Sequence, residues 1–242
     1  MSLKATSNKQ NILPKSNEPD REQELIPCNP TIPDMPDMPE GPEGPQEEGQ
    51  AVNLGELGNY FDIVRNNYFE ANRVIFIIGP ITWENGIRVI QKLCFYDDGS
   101  KNPITIYISS PGGECDVGFA IIDCINRLKS KHVEVNTICM GACSSMASVI
   151  LASGTIGNRF AFPSSRIMIH QAGVVETGGK LNDISIIQHE LQVWTDNMNR
   201  IFKKQTGKSL DEFKKLTSYD NYMSAFEAKK LGLIDKITAK MV

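Results

Sequence analysis

At 242 residues, 40% hydrophobic and 22% charged, the chain has the make-up of an ordinary globular protein and the length for one large domain or two small ones. Its net charge of −4 excludes a dedicated nucleic-acid binder, which needs a concentrated basic face to neutralise phosphates. No apolar run reaches the roughly 18 residues that a membrane helix needs, so no membrane partner is expected.

The opening residues, MSLKATSNKQ, lack the apolar stretch of a secretory signal. Six cysteines, Cys28, Cys94, Cys115, Cys124, Cys139 and Cys143, show no framework spacing, and four of them sit inside apolar-periodic segments. That pattern reads as reduced, buried thiols rather than a disulfide scaffold. A cytoplasmic protein is expected. A plastid or mitochondrial matrix is the alternative, because a short, acid-poor start with Lys, Ser and Asn is also how a transit peptide opens.

Composition changes near residue 50. Of the 13 prolines, all but Pro80, Pro103, Pro111 and Pro163 lie at or before Pro45. A segment so rich in proline and acid buries too little apolar area to offset its chain entropy. Residues 1–52 are therefore expected to be a disordered extension, and residues 53–242 one folded domain.

From residue 53 onward the pattern is α/β. RVIFIIG (73–79) is a nearly continuous apolar run, as in a strand covered on both faces. Residues 84–96 carry Ile87, Ile90, Leu93 and Cys94 at helical spacing. PITIYIS (103–109) is a second strand, and Val117, Ile121, Cys124, Ile125 and Leu128 form a second amphipathic helix. VEVNTIC (133–139) is a third strand, followed by small residues and a helix to about Ala152; RIMIH (166–170) is a fourth. Strand alternating with helix implies right-handed crossovers and a largely parallel sheet. Residues 182–205 differ. There Ile184, Ile187, Leu191, Trp194, Met198 and Ile201 step by three and four along a long polar helix closed by Gly207. A short helix is expected over Leu210 to Leu216. Ser224 with Glu227 forms a capping box for a helix to Leu231, and GLIDKI is a last strand.

Two turns after strands stand out chemically. SSPGGE (109–114) joins a proline that cannot donate to two glycines that permit positive φ. It is either a plain strand-to-helix turn or a set of exposed N–H groups facing a substrate backbone. It is no phosphate loop, and no GxxxxGK[ST] occurs in the chain, so the protein should not hydrolyse ATP itself. MGACSSMAS (140–148) is the second. Its small residues let Ser144 or Ser145 either cap the following helix or project where N–H groups stabilise a developing oxyanion. The three histidines are distinct: His132 and His189 read as solvated, and His170 alone ends an apolar strand. Asp220, in SYDNYMS, reads as a loop aspartate preceding a helix. No Cys/His grouping has metal-ligand spacing, so neither a metal nor a cofactor is expected.

Together these segments carry a resemblance. SPGG at 110–113, TICMGACSSMAS at 137–148, RFAFPSSRIMIHQ at 159–171 and DNYMSAFEAKKLGLIDKI at 220–237 are similar, in order and spacing, to the Clp protease proteolytic subunit (ClpP) family. The resemblance spans about Tyr60 to the C-terminus. It implies the ClpP/crotonase-like fold, with repeated β-β-α units, a largely parallel sheet and a protruding long helix. It also implies Ser145 as nucleophile, His170 as general base, Asp220 as orienting carboxylate, and the N–H groups of Gly113 and Met146 as oxyanion donors.

The partners implied are copies of itself or a sister subunit in stacked heptameric rings, a separate AAA+ ATPase unfoldase, and unfolded polypeptide substrates. On this reading residues 1–52 are a propeptide or an axial loop. The chain departs from the pattern at Cys143, where alanine is usual, at Ala172, where proline is usual, and at Val174 and Val175, near the paired glycines of the substrate groove. Two other readings remain open at this point. One is a coenzyme A thioester enzyme of the crotonase-like fold, which has no need of a nucleophilic serine. The other is a non-catalytic ring subunit, expected to have lost triad members that this chain keeps.

Overall fold

The computed structural model describes residues 54–174 and 178–240. The extension over 1–52 lies outside the described residues, as do Cys28 and Val175. In chain order the elements are α1 (Leu54–Ala71), β1 (Val74–Ile78), α2 (Trp83–Phe95), β2 (Ile104–Ser110), α3 (Cys115–Ser130), β3 (Val135–Ser144) and α4 (Met146–Ala152). Then follow β4 (Arg159–Ala161), β5 (Arg166–Ile169), α5 (Leu181–Thr206), α6 (Leu210–Leu216), β6 (Asn221–Ser224), α7 (Ala225–Leu231) and β7 (Lys236–Ile237).

The sheet runs β1-β2-β3-β4-β7 with every neighbour parallel, as the alternating pattern requires. β5 lies parallel to the second half of β3, and β6 pairs antiparallel with β5. β2 is the strand covered on both faces, with Ile104 to Ile108 all buried. β1 was expected to be covered likewise and is not. It is the sheet's edge, and although Ile75 and Ile77 are buried, Phe76 and Ile78 are 36% and 54% exposed. Phe76 instead stacks on Tyr107 of β2, ring centroids 5.5 Å apart.

β3 extends to Ser144 rather than stopping near Cys139. Thr137–Cys139 pair with β4 and Ala142–Ser144 pair with β5, so one strand serves two partners in succession. The change falls at Gly141, whose φ of 87° turns the strand. It coincides with a register shift against β2 between Ile108 and Ser110. The Cys139 carbonyl closes the gap between the two partners, accepting from the Phe162 N–H at 3.0 Å and the Ser165 hydroxyl at 2.9 Å.

The thiols are less buried than expected. All five described cysteines are free, but only Cys139 and Cys143 are buried; Cys115 and Cys124 are half-buried and Cys94 is exposed. α5 matches its expected bounds and ends at Gly207 in the left-handed conformation, φ 75°. At 26 residues it is roughly 40 Å long. Only its C-terminal half reaches the core, through Met198 and Phe202, while Leu181, Ile184 and Ile186 stay exposed. Among the described residues no helix is long and apolar enough to cross a membrane.

An ion pair anchors the C-terminal elements to the sheet. Arg159 of β4 grips Asp235 with two bonds, Nη2 to Oδ1 at 2.6 Å and Nε to Oδ2 at 2.8 Å. The same Oδ2 accepts from the N–H groups of Gly157 and Arg159 at 2.8 and 3.0 Å. Burial pushes the Asp235 carboxyl up, but the guanidinium and the two N–H groups outweigh it and hold the group below the usual carboxylate range. A depressed pKa adds stability that is complete above the unfolded value of about 3.9 and fades as pH falls through the folded value. Asp235→Asn leaves the Arg159 charge uncompensated and should cost about 3 kcal/mol at neutral pH, the low end for a broken buried pair because Asp235 is not fully enclosed. Denaturant unfolding from about pH 3 to about pH 7, which spans the usual carboxylate pKa near 4, checks this: the variant should lose less stability than wild type as acid is added.

Candidate active site

Three strand ends converge on one point. β3 hands over to α4 through the single residue Ser145, whose φ of 55° and ψ of −129° make a sharp turn that a serine adopts only under strain, on the order of 1–3 kcal/mol. The turn is held by neighbours. The Ser145 N–H donates to the Met168 carbonyl of β5 at 2.9 Å, and the Ser145 carbonyl accepts from the Ser148 N–H at 2.9 Å and its hydroxyl at 2.6 Å. The Ser145 hydroxyl makes no capping bond to α4. It lies 2.8 Å from Nε2 of His170. Ser144, the last residue of β3, pairs with Met168 and is not the cap either.

His170 follows β5 directly. β5 and β6 run antiparallel with Ile169 opposite Asn221, so the next residue on one strand faces the preceding residue on the other. Those residues are His170 and Asp220, and Nδ1 of the ring lies 2.9 Å from Oδ1 of the carboxylate. Asp220 is a loop aspartate, as the sequence suggested, but the element that follows it is the strand β6 rather than a helix; α7 comes only after β6. Sheet register therefore sets the whole line from Asp220 through His170 to Ser145.

Two links hold the segment after His170. The Gln171 N–H donates to the Thr217 carbonyl at 2.7 Å, and the Ala172 N–H donates to Oγ1 of Thr195, on α5, at 3.0 Å. A proline at 172 would have no N–H to give, so the departure at this position adds a tie to α5. Gln171, Ala172, Gly173, Ser218 and Tyr219 line an open groove beside His170 and Asp220. Thr195 and Thr217 were not singled out from sequence, since a helix threonine and a loop threonine carry no signal until the fold brings them to this segment.

The glycine turn lies on the other side of Ser145. Gly112 has φ 96°, and a Cβ there would sit 2.6 Å from the Ser145 Cβ and 2.7 Å from the Ser144 carbonyl oxygen. Gly113 is bridged to Ile81: the Ile81 N–H donates to the Gly112 carbonyl and the Glu114 N–H to the Ile81 carbonyl, each at 2.9 Å. The bridge uses the groups on either side of Gly113, so its own N–H takes no part. Met146 is the first residue of α4, where a helix N–H has no intrahelical acceptor.

Cys143, two residues before Ser145, is no rival nucleophile. It is wholly buried, its thiol donates to the Ile108 carbonyl at 3.5 Å, and burial pushes it well above the ordinary thiol range. His132 and His189 are exposed, away from this cluster. Among the described residues no three His, Cys, Asp or Glu side chains gather where they could hold a metal ion.

A family model described as Clp protease matches residues 58–241. The chain belongs to the Clp protease family. Membership of this peptidase family agrees with the mostly parallel α/β sheet and the long α5 helix.

The clearance at Gly112 makes this Clp protease vulnerable to a single methyl group. Gly112→Ala should lower kcat/KM on a short fluorogenic peptide by roughly 100-fold, because the turn at Ser145 must shift by about 1 Å to make room and a misplacement of that size is that costly. Steady-state kinetics alongside a thermal melt checks that the folded fraction remains high.

Proposed function

We propose that this chain is a serine endopeptidase in which Ser145 is the nucleophile, His170 the general base and Asp220 the carboxylate that orients it. One observation carries the reading: the continuous line of contacts from Asp220 Oδ1 to His170 Nδ1, 2.9 Å, and from His170 Nε2 to Ser145 Oγ, 2.8 Å. A helix cap would have turned the serine hydroxyl toward α4, and it does not.

In this mechanism His170 takes the hydroxyl proton as Ser145 Oγ attacks the peptide carbonyl carbon. The carbonyl oxygen becomes an oxyanion and accepts from the N–H groups of Gly113 and Met146. Asp220 stabilises the imidazolium, which then protonates the departing amine and leaves an acyl-serine. Water, deprotonated by the same histidine, hydrolyses the acyl group and restores Ser145. The substrate is an extended polypeptide laid along the open groove past Gln171 to Gly173. A coenzyme A thioester enzyme would leave the serine–histidine contact without a task.

The quaternary proposal is a stacked ring, of this chain alone or with a sister subunit, held partly by α5. Its Ile184, Ile187, Leu191 and Trp194 continue the apolar stripe beyond the part buried against the core. The proposed energy-using partner is a separate AAA+ unfoldase, because the chain has no phosphate loop of its own.

Ser145→Ala should lower kcat by several orders of magnitude with an unchanged circular dichroism spectrum, since a triad acts as a unit. Ser144→Ala should keep most of the activity. Equal losses in the two variants, or turnover surviving in Ser145→Ala, would overturn the assignment. For the assembly, replacing Leu191 and Trp194 together with serine should convert a large particle into small species in sedimentation velocity. A wild-type protein that sediments as a monomer contradicts the ring.

A further inference from the structure

The contact between α2 and α3 keeps one register along its length. Near its start Gly86 faces Val117 and Ile121 so closely that a Cβ on the glycine would collide with the valine. Residues three and four apart share a helix face. From Gly86 that face runs through Ile90 to Cys94, and from Ile121 it reaches Cys124. At the far end Asp97 receives Arg127 Nε at 2.8 Å and Lys131 Nζ at 2.7 Å. Between the apolar contact and the ion pairs, that register sets Cys94 of α2 beside Cys124 of α3, near enough for the two sulfurs to interact. Cys94 is exposed and Cys124 half-buried.

We propose that Cys94 and Cys124 are an oxidisable dithiol, a modification site that closes to a disulfide between α2 and α3 when the protein meets a hydroperoxide. Exposure makes Cys94 the sulfur that reacts first. Its thiolate attacks the peroxide O–O bond, becomes a sulfenic acid, and releases hydroxide that is protonated to water. The Cys124 sulfur then attacks the Cys94 sulfur, and the sulfenic hydroxyl departs as a second water with the Cys124 proton. Two thiols lose two electrons, and one peroxide is reduced to two waters.

The surroundings fit this order. The Arg127 guanidinium lies close enough to interact with both sulfurs, which places a positive charge beside the pair. Burial, and then the neighbouring Cys94, push the Cys124 thiol up, which suits a resolving thiol rather than an attacking one. Cys139 and Cys143 are wholly buried and out of reach of an oxidant. The covalent ring from Cys94 to Cys124 encloses β2 and the Pro111–Gly113 turn, so closing it restricts the unfolded chain around the turn that carries Gly113.

The test uses the full chain, reduced, freed of reductant and exposed in the folded state to a small excess of hydrogen peroxide. Thiols are then blocked, and the unreduced digest is mapped by mass spectrometry. The expected result is one intramolecular Cys94–Cys124 peptide, reversed by dithiothreitol, and a thermal midpoint raised by about 5 °C in wild type alone. In Cys124→Ser, Cys94 should stop at a sulfenic acid that dimedone traps, while wild type traps little. The proposal is overturned if Cys94 stays reduced, if dimedone labels wild type as fully as Cys124→Ser, if Cys94 links to any other cysteine or a second copy, or if the disulfide leaves the midpoint unmoved.

Discussion

β3 is hydrogen-bonded to β4 over Thr137–Cys139 and to β5 over Ala142–Ser144, and the site depends on that change of partner. Had β3 stayed beside β4 for its whole length, Met168 would not lie opposite Ser144, and the Ser145 N–H would lose its acceptor. The change also brings β5 into the sheet at the height where its last residue precedes His170. β6, added antiparallel to β5, then fixes Asp220 across from the ring. Backbone ladders, which are stiff and specific in register, hold three side chains that make only single contacts with one another.

The strain at Ser145 belongs to the same arrangement. A serine at φ 55° persists because both its backbone groups are bonded, to Met168 on one side and Ser148 on the other. Gly112 packs against it with no room for a methyl group, so the turn that carries Gly113 and the turn that carries Ser145 are positioned against each other. α5 joins the arrangement through Thr195, whose hydroxyl accepts the Ala172 N–H. The helix that protrudes from the domain thus also touches the segment lining the groove.

Much of this was legible in the residues. The long apolar runs of β2 and β3, the helical spacing of α2 and α3, the Gly207 stop of α5 and the Ser224–Glu227 box all carry period or capping signals that local physics makes strong. The elements that escaped are those too short or too polar to show a period. β4 has three residues and β6 four, and their pairing is decided by neighbours rather than by their own pattern, whereas β7 was expected within GLIDKI and keeps only its last two residues, Lys236–Ile237. The GACS end of β3 is small and only partly apolar, so nothing in it announces a strand. The edge position of β1 is a property of the sheet, not of VIFII. The three residue types at the site were visible, but their approach rests on the β3–β5 and β5–β6 registers, which no stretch of sequence displays.

The central claim is that Ser145, and no other residue, carries the reactive oxygen. Treating the assembled protein with a fluorophosphonate and mapping the adduct by mass spectrometry tests it most directly, since the probe phosphonylates a serine only where a base and oxyanion donors activate it. The account predicts a single stoichiometric adduct on Ser145 that disappears in His170→Ala. An adduct on Ser144, labelling that survives loss of His170, or no adduct on a protein that still cleaves peptides would contradict it.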